Sequence, residues 1–203
     1  MTEHYVRTPL TEKDVRELDI GDIVYVDGLV YTARDEAHIH MLCKLRKGHK
    51  IGFSLDGAAV YHCGPIVRKL DGGWKVIAAG PTTSSRMNSL EPEFIERLGV
   101  RAIIGKGGMS RPVAEAMERF GAVYLAITGG AAVLVADEIR GVKGVYFEEL
   151  GMPEAVWVLE VDNLGPLIVG MDAKGRSLFE RVDEQVKMKI PEVRRKLGLY
   201  DDK

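Results

Sequence analysis

The chain has 203 residues, 46% of them hydrophobic and 29% charged, with a formal net charge of -2, which is ordinary composition for a soluble globular chain able to bury one substantial core. So balanced a charge provides no bulk attraction to nucleic acid or to an anionic membrane, and any anion has to be held by local clusters. The only cysteines, Cys43 and Cys63, match no metal-ligand spacing and argue against a disulfide scaffold, and they point to a reducing compartment. No run approaches the ~18 consecutive apolar residues of a membrane span, and residues 1–5 lack a charged-then-apolar leader, so a cytoplasmic protein is expected.

Thr11 and Asp14 have the spacing of a reciprocal N-cap and predict a short helix through Leu18. Residues 22–26 and 29–32 then alternate like paired strands joined near Asp27-Gly28. Ala37, Met41, Leu42 and Leu45 recur at helical spacing within 34–47, and Gly48 is placed to end that helix, which puts Arg34 at a helix start. Stretches 58–62, 66–70 and 74–79 suit strands, with Asp71-Gly72-Gly73 supplying a tight hairpin between the last two. A helix over 92–98 follows, then a buried strand over 100–104 and a helix capped by Ser110 that carries Val113, Met117 and Phe120. Residues 122–128 read as another strand, the Gly-spaced stretch 140–151 as a loop-rich excursion, and 155–161 and 167–171 as a further strand pair. A final helix carries Phe179, Val182 and Val186. With hairpins early, βαβ rhythm later and no repeat or linker, residues 1–203 are expected to form one α/β domain.

Three separated segments share a chemical character. Residues 31–38, Tyr-Thr-Ala-Arg-Asp-Glu-Ala-His, are a strand-to-helix junction with a cation. Residues 80–87, Gly-Pro-Thr-Thr-Ser-Ser-Arg-Met, follow a strand that Pro81 cannot continue, and 104–109, Ile-Gly-Lys-Gly-Gly-Met, form a second strand exit before a helix. At each, free backbone N–H groups and a positive side chain face one place, which suits an anion. Arg34 and Arg86 can each grip a carboxylate through two parallel hydrogen bonds, and Lys106 offers a compact charge between glycines that permit close approach. Two arginines and one lysine match a small dicarboxylate.

The plainer roles stand beside these. Thr82, Thr83, Ser84 and Ser85 also suit caps and turns, the commoner fate of hydroxyls after a strand and the one expected for Ser84 and Ser85. Proton transfer by Thr82 requires activation by neighbouring cations or bound substrate. The Gly-Lys-Gly-Gly run lacks the spacing of a phosphate loop, and no dinucleotide fingerprint is present. His38, one turn beyond Arg34, is placed to orient Asp35 or a substrate carboxylate, although packing is the usual role of a helical histidine. His40, His49 and His62 share no spacing with acidic residues that argues for a metal site.

Taken in order, the three segments resemble the β subunit, equivalently the C-terminal domain, of the iron–sulfur-dependent hydro-lyases, class I fumarase and L(+)-tartrate dehydratase. The likeness covers nearly the whole chain: 31–38 is similar to an Arg-Asp-x-Ala-His segment, 80–87 to a Gly-x-Thr-Thr-x-x-Arg-Met loop, and 105–109 to a Gly-Lys-Gly-Gly-Met loop. It implies a swivelling β/β/α domain, with mixed sheets and flanking helices, that closes over a 4Fe–4S cluster held by a separate α subunit, in an assembly of two α and two β chains. The implied reaction is reversible hydration of fumarate to L-malate. Arg34, Arg86 and Lys106 would bind substrate carboxylates, Thr83 would contact substrate, and Thr82 would be the candidate general base. A cluster with one open iron takes three protein thiolates, which Cys43 and Cys63 cannot supply, so the resemblance demands a partner and assigns no metal ligand to this chain. Tartrate dehydration and a non-catalytic anion-binding or regulatory subunit are the alternatives. No nucleic acid or membrane partner is expected.

Overall fold

A computed structural model describes residues 1–199. Strand β1 (Glu3–Arg7) lies parallel to the first half of the ten-residue β2 (Ile23–Thr32), and α1 (Glu12–Arg16) connects them, capped reciprocally by Thr11 and Asp14 as expected. After α2 (Asp35–Arg46), β3 (Ala59–Tyr61) pairs in parallel with the second half of β2. The hairpin β4 (Ile66–Leu70) and β5 (Gly73–Ala78) forms a small separate sheet, with Gly72 at φ +94° in its turn. Next come α3 (Glu91–Leu98), β6 (Ala102–Gly105), α4 (Arg111–Phe120) and β7 (Val123–Ala126). Then α5 (Ala132–Asp137), β8 (Ile139–Tyr146), the sixteen-residue β9 (Val156–Met171) and α6 (Leu178–Lys196) complete the described elements.

Strands β2, β3, β6 and β7 pair in parallel in that order, and β9 runs antiparallel to both β7 and β2. Those five strands therefore close into a ring, with β1 and β8 as outer strands. The ring sorts its side chains by strand alternation. Ala59, Tyr61, Ala102, Ile104, Val123 and Leu125 join one core cluster with Val24, Val26, Val30, Leu159 and Val161. Their neighbours Val60, Ile103 and Tyr124 join a second, packed with Ala37, Met41, Phe94, Val113 and Met117 from α2, α3 and α4. Strands buried on both faces read as continuous apolar runs, which is why β6 and β7 were legible in sequence. Each fully buried Val, Ile or Leu contributes about 1.5–3 kcal/mol.

Several expectations need correction. Asp27-Gly28 is not a hairpin turn: β2 runs through it, because its two halves find different parallel partners and β9 pairs along both. Gly28, at φ +99°, sits at a bulge pressed against Thr8. The pair expected over 155–161 and 167–171 is one strand, whose turn-like Asp162-Asn163 and Gly165-Pro166 fall within it near the register shifts opposite Val26. The stretch 140–151 is mostly β8, recruited as an antiparallel partner of β9, with shifts beside Gly141 and Gly144 that absorb its glycines. Strand β1 and helix α5 had no recognised signal.

Candidate active site

The four parallel strands point the same way, so the residues just beyond their carboxyl ends share one end of the ring, the usual place for chemistry in α/β folds. Ala33-Arg34 follows β2, His62 follows β3 and Lys106 follows β6. The segment 80–87 returns from the β4–β5 hairpin to the same place. The Thr82 amide donates to the His62 carbonyl at 2.6 Å, Thr83 forms a parallel bridge with Lys106, and the Ser84 amide donates to the Lys106 carbonyl at 3.1 Å. The loop is thereby stitched to the ends of β3 and β6 before turning into a short 3₁₀ segment, Ser84–Met87.

Arg34 is the N-cap residue of α2, with extended backbone and a side chain that takes no part in capping. Its Nε lies 3.2 Å from Glu154 Oε1, with both side chains largely buried, and the other Glu154 oxygen accepts from the Glu36 amide at 3.1 Å. Glu154 thus fixes both the guanidinium and the first turn of α2. Gly64 makes room for it, since a Cβ there would come within 2.8 Å of an Arg34 Nη atom. Arg86 pairs with the Asp35 carboxylate, its Nε donating to Oδ1 at 3.0 Å and its Nη2 lying 2.8 Å from Oδ2 as an ionic contact, so the second loop is tied to the first. The Lys106 ammonium forms no ion pair among the described residues. Its stem passes Gly129, where a Cβ would lie 3.5 Å from Lys106 Cδ, while Gly107 at φ +75° turns the chain away. The structure therefore gathers Arg34, Thr82, Thr83, Arg86 and Lys106 at one end of the ring, with two of the three cations already paired to carboxylates.

Behind these residues lies a buried polar group that sequence spacing did not disclose. His38, His62 and Glu91 are fully buried, with Glu91 Oε2 3.2 Å from His62 Nε2 and 3.6 Å from His38 Nε2. These are ionic contacts off the hydrogen-bond line, so the three groups lack well-formed hydrogen bonds to one another. His38 Nδ1 lies 2.8 Å from the Arg34 carbonyl, and His62 Nδ1 lies 2.9 Å from Ser84 Oγ, which in turn accepts from the Tyr124 hydroxyl at 3.0 Å. Burial opposes ionisation of Glu91, but the two histidines outweigh it and hold its carboxyl at about 2. Burial also opposes a charged His38 ring, yet Glu91 and the Arg34 carbonyl raise it above the ordinary histidine value. For His62 burial prevails, aided by the charge of His38, and the ring stays below that value.

His38 therefore neither binds Asp35 nor reaches towards solvent, and Ser84 is a buried relay hydroxyl rather than only a turn residue. Residues 38, 62 and 91 lie on α2, after β3 and at the start of α3, so only the tertiary fold joins them.

Family comparison settles the ancestry. A model of the Fumarase C-terminus family matches residues 3–182. The chain belongs to that family. A Methanocaldococcus jannaschii protein provisionally named L(+)-tartrate dehydratase subunit beta is 49% identical over 190 residues, covering 93% of this chain and 97% of its own length. The L(+)-tartrate dehydratase subunit beta of Escherichia coli K12 is 42% identical over 172 residues, 85% of this chain and 84% of that one. A Geobacillus stearothermophilus protein provisionally named fumarate hydratase class I is 41% identical over 180 residues, 88% of this chain but 34% of that longer protein. No helix among the described residues of this family member is long and apolar enough to cross a membrane.

Proposed function

We propose that this chain is the β subunit of a hydro-lyase that interconverts fumarate and L-malate, contributing substrate-binding cations and a proton acceptor to a site completed by an α subunit. The observation that carries the reading is the arrival of Arg34, Thr82, Thr83, Arg86 and Lys106, from three remote segments, at the end of the ring where β2, β3 and β6 finish. A diacid presents two carboxylates, and this arrangement offers separate cations to each.

In this reading Arg34, Arg86 and Lys106 bind the substrate carboxylates and Thr83 contacts substrate. Arg86 suits the task because its pairing with Asp35 uses Nε and Nη2 and leaves Nη1 to donate to a second carboxylate. Thr82 Oγ, as the alkoxide, takes the carbon-bound proton in dehydration while the adjacent carbon loses hydroxide, which departs as water after taking a proton from solvent, and Thr82 then returns its proton to solvent; hydration runs the same steps in reverse. A threonine hydroxyl is a weak base, so its alkoxide needs nearby positive charge, for which Lys106, bridged to Thr83 and free of ion pairs among the described residues, is the candidate. This chain does not fit a 4Fe–4S cluster: Cys43 is exposed on α2, and Cys63 is buried in surroundings that push its thiol upward and keep it protonated. We assign the cluster to the α subunit, in an assembly of two α and two β chains.

Dehydration of L(+)-tartrate is the second reading, favoured by the names of the two relatives that match over most of their own length. Anaerobic co-expression with the α subunit, followed by assays on malate, fumarate and tartrate, tests both. Turnover of malate and fumarate by the complex supports the first reading, turnover of tartrate alone moves the assignment to the second, and a cluster-loaded complex inert towards all three contradicts both.

A further inference from the structure

The buried polar group touches every segment assigned to the substrate, by one bond each. His38 Nδ1 meets the carbonyl of Arg34, the carbonyl of His62 receives the amide of Thr82, and the amide of Ser84 donates to the carbonyl of Lys106. Its members come from α2, the end of β3, the turn at Ser84, the start of α3 and β7, so it ties together all the elements that end at the site. Space has been kept for it: a Cβ on Gly105 would fall within 2.0 Å of Ser84 Oγ, 3.2 Å of the Tyr124 hydroxyl and 3.4 Å of His62 Nδ1. Gly105, the last residue of β6, thus admits a side-chain relay.

We propose that the His38–Glu91–His62 bridge, continued through Ser84 to Tyr124, is a positioning device that holds Arg34, Thr82 and Lys106 in reactive register. The inference rests on the function proposed above. The ionic contacts assign the protons, although Glu91 Oε1 has no hydrogen-bond partner among the described residues. A carbonyl only accepts, so His38 Nδ1 carries a proton. Glu91, ionised, draws a second proton onto His38 Nε2 and a proton onto His62 Nε2. His62 Nδ1 is then bare and accepts from Ser84, whose oxygen accepts from Tyr124. One imidazolium, one neutral imidazole and one carboxylate sum to zero charge, the condition for burying all three. The remaining facing groups do not disturb this balance: Phe94 packs on the His38 ring with centroids 4.2 Å apart, and the nearby Asp35 carboxylate, neutralised by Arg86, favours the imidazolium. The balance of charge, together with the bonds of His38 to Arg34, of His62 to Ser84 and of Ser84 to Tyr124, ties these elements to one another.

The test combines histidine ¹⁵N NMR, amide exchange and kinetics on the wild-type chain and its Glu91→Gln and Ser84→Ala variants. In the wild-type chain at pH 6.5, the ordinary histidine value, His38 is expected to be predominantly doubly protonated and His62 predominantly the neutral tautomer protonated at Nε2. Glu91→Gln should return His38 to the neutral form and accelerate exchange at least tenfold over 33–38 and 82–86, with β9 amides unchanged. In the assembled enzyme, kcat should fall at least tenfold while KM changes less than threefold, and Ser84→Ala should give a smaller fall of the same kind. A neutral His38 in the wild-type chain, stoichiometric zinc retained on the three side chains, or exchange over 33–38 and 82–86 unaltered by Glu91→Gln would overturn the proposal. NMR and exchange need no turnover, so a wild-type complex inert towards every diacid would defeat the proposed function while these readings still decide the bridge.

Discussion

Arg86 illustrates how much chemistry rests on the shape of a cation. Its planar fork holds Asp35 on one edge, and in the proposed function Nη1 is kept for a substrate carboxylate, a division of labour that a lysine cannot reproduce. Arg86→Lys in the assembled enzyme should lower kcat/KM at least tenfold, about 1.4 kcal/mol of transition-state stabilisation, as measured by steady-state kinetics on malate. Thr82→Val keeps the shape and removes the hydroxyl. It should depress kcat by about 100-fold or more with KM little changed and α-subunit binding intact, and an unaltered kcat would remove Thr82 from proton transfer. Glu91 gives a pH prediction. Its folded value, about 2, is depressed, so the stability it contributes is present above the unfolded carboxyl value of 4.5 and is lost as pH falls through about 2. His38 has the opposite sign, its contribution being complete below the ordinary histidine value and lost as pH rises through its raised one. His62, depressed, loses stability as pH falls below that ordinary value, so the two histidines partly cancel near neutrality. Thermal melts between pH 5 and 2 should therefore fall more steeply for the wild-type chain than for Glu91→Gln.

Among the elements, β2 and β9 decide the topology, and both were read as interrupted. Gly28 marks the point where local and global signals part: Asp-Gly is a turn signal, yet a strand passes through because β1, β3 and β9 supply partners on either side. Its Cβ would fall 2.6 Å from Thr8 Oγ1 and 3.0 Å from the Thr8 carbonyl, at φ +99°. Gly28→Ala should cost about 2 kcal/mol, seen as a melting temperature lower by about 4–8 °C. The amphipathic helices α2, α3 and α4 and the apolar strands β3, β6 and β7 were legible, since their signals are local periodicities. Strand β8 was hidden because its glycines are tolerated only where β9 offers a bulged partner. The site divides the same way. Arg34, Thr82, Arg86 and Lys106 announced themselves through charge and hydroxyl density at strand exits. Glu91, His62 and Tyr124 looked like ordinary helix and strand residues, and their meeting is a property of the closed ring alone.

For the whole molecule, the ring brings three remote loops to one end, and the proposed function has their chemistry completed by an α subunit. Only two cysteines are present, one exposed and one buried and protonated, so the isolated chain should show no hydro-lyase activity under anaerobic conditions and should gain it on addition of the α subunit. Activity in the chain alone would contradict the division of labour between subunits. The ion pairs Arg34–Glu154 and Arg86–Asp35 hold two cations of the proposed site in place. The most direct measurement is a crystal structure of the assembled enzyme with L-malate bound. Its two carboxylates should be gripped by Arg34, Arg86 and Lys106, with Thr82 Oγ facing the carbon that loses its proton; a diacid seated out of reach of these residues would contradict the site.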